Sequence, residues 1–161
     1  MPTLPQLIED DISTLNSAMQ ELLIKSDAGT AFIIDKGGFI ITQCGPADDF
    51  DTTTLAALSA ASFAATEGIA TLVGEKNFSS VYQQGEHNSI IVMNVDEYCL
   101  LSVIFKATLS VGAIRYYAAD TIKKVAAQLK QAHCREPEGG LDLSMLNLAD
   151  PSPVFKKRHV A

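Results

Sequence analysis

The chain has 161 residues with 12 basic and 19 acidic side chains, a net charge of −7. It suits one domain with an appendage and is too acidic to favour nucleic acid or an anionic membrane. Residues 135–161 hold four groups of each sign, so the whole deficit lies in residues 1–134. Cys44, Cys99 and Cys134 form neither a disulfide framework nor a metal spacing, and a reduced cytoplasm is the expected location. The longest apolar run, residues 99–105, has strand length, and the start MPTLPQLIEDD lacks the pattern of a secretory signal.

Residues 3–25 predict an amphipathic helix, because Leu4, Leu7, Ile8, Ile12, Leu15, Met19, Leu22 and Leu23 recur at helical spacing. Thr3 with Gln6 has the form of a capping box, and Pro5 is tolerated in a first turn. Residues 30–35 and 39–43 then read as strands joined through Asp35-Lys36-Gly37-Gly38, a hairpin signal. Asp51, or a threonine after it, caps a long alanine-rich helix. Three more strands are predicted at residues 78–84, 89–95 and 99–106, the last apolar almost throughout, as for a central strand. The final helix opens near Ser110 and buries Val111, Ile114, Ala118, Ile122, Val125, Leu129 and Ala132. It fades before Pro137-Glu138-Gly139-Gly140, a boundary signal. Every strand-to-strand link is short enough for a hairpin. A mainly antiparallel sheet with helices on both faces follows, an α+β fold.

The alanine-rich helix is the most informative element. Wound at about 100° per residue, Leu55, Leu58, Ala65, Ile69, Leu72 and Val73 share a broad stripe, expected to face the core. Opposite lie Ala56, Ala57, Ala60, Ala61, Ala64 and Gly68, with Glu67 and Thr71. A helix facing water would carry Lys, Glu and Gln there. Small side chains on the outward side predict a flat surface that a second protein approaches closely.

Catalytic chemistry is hard to find. His87, His133 and His159 are not brought to ligand spacing with a carboxylate or thiol. Gly37-Gly38 reads as a turn and Gly139-Gly140 as a linker, and neither makes a phosphate loop. Asp48, Asp49 and Asp51 read as helix N-terminal charge. No nucleophile with a base is visible, so no catalytic, cofactor or metal residue is assigned, and the chain is expected not to be an enzyme.

Three blocks carry a resemblance: AFIIDKGGFIITQCG, then DTTTLAALSAASFAATEGIATLVGEKNFSSVYQQGEHNSI, then LLSVIFKATLSVGAIRYYA. Together they resemble the roadblock/dynein light chain family, nearest its bacterial branch typified by mutual gliding-motility protein B, a cell polarity and motility class. The resemblance implies a five-stranded antiparallel sheet with the second helix on one face and the first and third on the other. It further implies a homodimer made by pairing the third strands, here residues 78–84, and the second helices; a higher-order assembly is an alternative that the sequence leaves open. In that branch the helical platform docks a small Ras-like GTPase and stimulates GTP hydrolysis without lending a catalytic side chain. Only Arg115, Arg135 and Arg158 are present, none on the second helix, so an arginine finger has no candidate there.

The expected GTPase-binding residues are therefore Ala56, Ala57, Ala60, Ala64, Glu67 and Gly68. The expected dimer interface is Phe63, Phe78, Ser80, Tyr82 and Gln84. Domain limits are residues 1–134 and a tail at 135–161, whose Leu141, Leu143, Met145, Leu146 and Leu148 suit a short amphipathic or docking segment at 141–149, or an unstructured end. The sequence thus points to a cytoplasmic homodimeric GTPase regulator with no nucleic-acid, membrane or cofactor partner. A passive scaffold is the alternative from another class, and a small-ligand sensor fits least, for want of convergent polar residues.

Overall fold

The computed structural model of the chain describes residues 4–135; the tail segment 141–149 lies outside the described residues. The elements are α1 (Glu9–Ser26), β1 (Thr30–Asp35), β2 (Ile40–Cys44), α2 (Thr52–Leu72), β3 (Ser80–Gln84), β4 (Asn88–Asn94), β5 (Cys99–Lys106) and α3 (Val111–Cys134). One five-stranded sheet runs β2-β1-β5-β4-β3, and all four pairings are antiparallel. The element order and antiparallel α+β class are those expected from the sequence.

Strand alternation divides the core in two. Ala31, Ile33, Ile91, Met93, Leu101, Val103 and Phe105 face Leu15, Met19 and Leu22 of α1 and Ile114, Val125 and Leu129 of α3. Phe32, Ile34, Val92 and Leu100 face Ala56, Ala60 and Phe63 of α2. β5 sits at the centre, and its burial on both faces accounts for its unbroken apolar sequence.

α1 begins later than the sequence predicts. Its first residue is Glu9, because the Asp11 carboxylate accepts the Ile8 N–H at 2.8 Å and satisfies a donor that the helix leaves unpaired. Gln6 lies before the helix, and Leu4 and Leu7 pack half-buried against the core outside any regular element. On the outer seam with α3, Glu21 accepts from Lys25 and from Lys124 (2.6 Å). Those two ammonium groups, Lys124 foremost, hold the Glu21 carboxyl down to about 2.

The hairpin between β1 and β2 explains its double glycine. Gly38 donates to the Asp35 carbonyl (2.9 Å), has φ +94°, and a Cβ there would stand 2.9 Å from the Cα of Ala57. Gly38→Ala is expected to cost about 1–3 kcal/mol, from left-handed strain plus displacement of α2. A denaturant midpoint equal to that of the wild type would contradict this. β1 and β2 also slip register between Ile33 and Ile34, a bulge.

The largest departure concerns the orientation of α2. Its buried residues are Ala56, Ser59, Ala60, Phe63 and Ala70, while Leu58 (64% exposed), Ile69, Leu72 (87%) and Val73 face outward. The expected inward stripe is thus largely outside, with Leu55 half-buried and Ala65 exposed. The physical reason is shape. Large sheet residues already stand beneath α2, so Ala56 and Ala60 permit close approach while Phe63 fills the remaining space. Among the described residues, α2 alone is long and apolar enough to cross a membrane. Its packed face makes it one layer of the fold.

Candidate partner-docking interface

The outer half of α2 is the feature most in need of a partner. From Leu58 the helix presents Ala61, Ala65, Gly68, Ile69 and Leu72 to solvent, and Leu58, Ala65 and Leu72 recur at sevens, the spacing of a helix–helix seam. Ala57 and Ala64 extend the apolar surface along one flank, and Glu67 is the single charge on the helix. Asp51 starts α2 firmly: its carboxylate accepts the Thr54 N–H (3.1 Å) and hydroxyl (2.5 Å). Those bonds, the hydroxyl's first, lower the Asp51 pKa.

The expected site residues are therefore divided. Ala57, Ala64, Glu67 and Gly68 are exposed. Ala56 and Ala60, at 3% and 4% exposure, pack on their own sheet and cannot meet a partner directly. Phe63, expected at the dimer interface, is likewise enclosed beside Phe32 and Val92. What sequence reasoning assigned to the core, Leu58, Ile69 and Leu72, is the accessible surface. The seven-residue recurrence was the signal for it.

β3 lies at one margin of the sheet, bonded to β4 alone, so its other backbone edge carries unpaired N–H and C=O groups. Ser80 and Tyr82 are half-buried on it and Gln84 is exposed, with half-buried Phe78 just before its start. Tyr82 stacks on Phe105 with ring centroids 6.1 Å apart. Arg115 Nη2 donates to the Ser80 hydroxyl at 3.3 Å, which places this arginine on the α1/α3 side. Arg135 also belongs to that side, bonded to Asp11. Neither described arginine stands near the outer half of α2.

Among the described residues no catalytic constellation accompanies this surface, and no group of three or more His, Cys, Asp or Glu side chains could hold a metal ion. Burial pushes the Cys99 thiol up to about 12, so it stays protonated and unreactive. The surface can exclude water and fit a neighbour; it offers no proton transfer or covalent chemistry.

Comparison with known proteins agrees with this architecture. Residues 15–105 match the model of the Roadblock/LC7 domain. Myxococcus xanthus MglB is 26% identical, with a TM-score of 0.74 over 83% of this chain and 99% of its own. A structure described as MglB with a tetrameric arrangement is 25% identical, at 0.76 over 82% and 99%. The gliding protein MglB of Thermus thermophilus is 25% identical, at 0.72 over 81% and 99%. No curated protein matches the chain. With the domain model spanning more than half of its 161 residues, and with solved neighbours in the MglB branch, this chain belongs to the Roadblock/LC7 family.

Proposed function

We propose that the protein is a homodimeric regulator that binds a small Ras-like GTPase and stimulates GTP hydrolysis without supplying a catalytic residue. The observation that carries this reading is the exposed apolar half of α2, Leu58 through Leu72, on a fold similar to MglB. The open β3 margin supports self-association, with Phe78, Ser80, Tyr82 and Gln84 along it, and one MglB relative is described as tetrameric. Ala57, Ala64, Glu67 and Gly68 border the proposed GTPase surface, centred now on Leu58, Ala61, Ala65 and Leu72. Residues 1–134 form the regulatory domain in this reading, residues 135–161 a separate tail, and the cytoplasm is where it works.

With neither described arginine on the α2 side, help to the GTPase takes the form of preference for its active switch geometry. Single-turnover GTP hydrolysis by the cognate GTPase, with and without this protein, tests the reading. Acceleration on the order of tenfold or more is expected, within the reach of positioning effects. Binding with an unchanged rate would favour a passive scaffold, a reading that the absence of convergent polar side chains on α2 also accommodates.

A further inference from the structure

We propose that a second copy of the chain adds to β3 in an antiparallel register centred on Tyr82, and that Arg115 of each copy then reaches the Glu86 carboxylate of the other. This deepens the homodimer reading above and rests on it. The first observation is which backbone groups β3 leaves open. Asn94 donates its N–H to the Ser79 carbonyl and Gly85 donates to the Asn88 carbonyl, both at 3.0 Å, and the register between them is unbroken. Ser79, Val81, Gln83 and Gly85 therefore turn their N–H and C=O groups toward β4, while Ser80, Tyr82 and Gln84 turn theirs outward. The stretch from Ser80 to Gln84 has no charge, no proline and no bulge, the devices that keep a sheet edge unpaired.

The second observation is that this edge complements itself. About a two-fold axis at Tyr82, Ser80 meets Gln84 of the second copy, Tyr82 meets its own counterpart, and Gln84 meets Ser80. All the outward residues of β3 then form hydrogen-bonded pairs, each exchanging both of its bonds. An axis at Val81 or Gln83 leaves one outward residue of the strand without a strand partner. The third observation is electrostatic. Arg115 Nη2 lies 3.3 Å from the Ser80 hydroxyl, on the α1/α3 side of the sheet. Arg115 is exposed and, among the described residues, makes no ion pair. Nor does Glu86, exposed two residues past Gln84. In this register Gln84 of the second copy stands about 5 Å across from Ser80, and its Glu86 about 7 Å further along. A long arginine side chain already held over Ser80 spans that gap, and the charges are opposite.

Sedimentation of the full chain across a concentration series reads the dimer dissociation constant. Arg115→Glu and Glu86→Arg are changes at exposed positions that keep the fold. Each should weaken the dimer about tenfold, because the contact occurs twice per dimer, and the double variant should return to within about threefold of the wild type. Register is read separately, by oxidising a mixture of Ser80→Cys and Gln84→Cys chains and mapping the peptides. A disulfide joining position 80 of one copy to position 84 of the other is expected. Neither variant alone should link through its new thiol, whose counterpart lies about 14 Å away. A wild type that stays monomeric would overturn the homodimer reading and this proposal with it. A dimer that shows no rescue in the double variant, or no link between positions 80 and 84, would overturn this proposal alone.

Discussion

Ala60→Arg and Ala64→Arg, one helical turn apart, are expected to fail in different ways. Ala60 is 4% exposed, against a sheet furnished with Phe32 and Leu100. A guanidinium there has neither space nor a counter-charge, and a loss of about 4 kcal/mol or more is expected. Ala64 is on the solvent side of the same helix, so its arginine variant should melt within about 0.5 kcal/mol of the wild type. Under the proposed function, that second variant should bind the GTPase about 100-fold more weakly, or about 2.7 kcal/mol, because a long charged side chain holds the surfaces apart. Thermal melts and titration with the GTPase read both outcomes. Unchanged binding by a folded Ala64→Arg variant would move the docking surface away from this flank.

Asp11→Ala should cost about 2–3 kcal/mol, most of it from donors left without an acceptor. The carboxylate is fully buried and receives the Ile8 N–H, Gln128 and two nitrogens of Arg135. Arg135 can recover some solvation because its side chain is about one-third exposed (34%), which keeps the cost below that of a fully enclosed pair. The Arg135 hydrogen bonds hold the Asp11 carboxyl far below the ordinary carboxylate range, outweighing the opposite push of burial, with Ile8 N–H and Gln128 assisting. A depressed folded-state pKa stabilises the protein above the unfolded value, near 3.9, and that stability is lost as pH falls further. The gap between wild type and Asp11→Asn should therefore be full at neutral pH and begin to close at about pH 4. Denaturant melts across that range check it; a gap independent of pH would show that Asp11 acts only as a hydrogen-bonding group.

Much of the architecture was legible because short-range chemistry dictates it. Asp35-Lys36-Gly37-Gly38 forces a hairpin, Asp51 caps a helix, and the density of β5 marks the centre of the sheet. The orientation of α2 was not legible. With apolar residues on both halves, periodicity alone cannot choose which half goes inward. The choice is made by the side chains of β1, β4 and β5, distant in sequence. The Asp11–Arg135 pair escaped for a similar reason: its partners are 124 residues apart, and nothing local to either shows that they meet. The start of α2 was legible from Asp51, whose side chain caps it. The start of α1 was not, because its apolar spacing continues through Leu4 and Leu7 although the helix has not begun.

The slip in register between β1 and β2 bears on how far self-assembly can proceed. A sheet with two open margins is in principle a monomer for endless strand-on-strand stacking. Here the β3 margin is regular from Ser80 to Gln84, whereas the β2 margin, also five residues long, is kinked by its bulge. Such a kink spoils the spacing of donors and acceptors that another strand would need. Under the proposed self-association, addition at the β3 margin alone would give a closed pair related by a two-fold axis, with no regular open edge left to grow into a fibre.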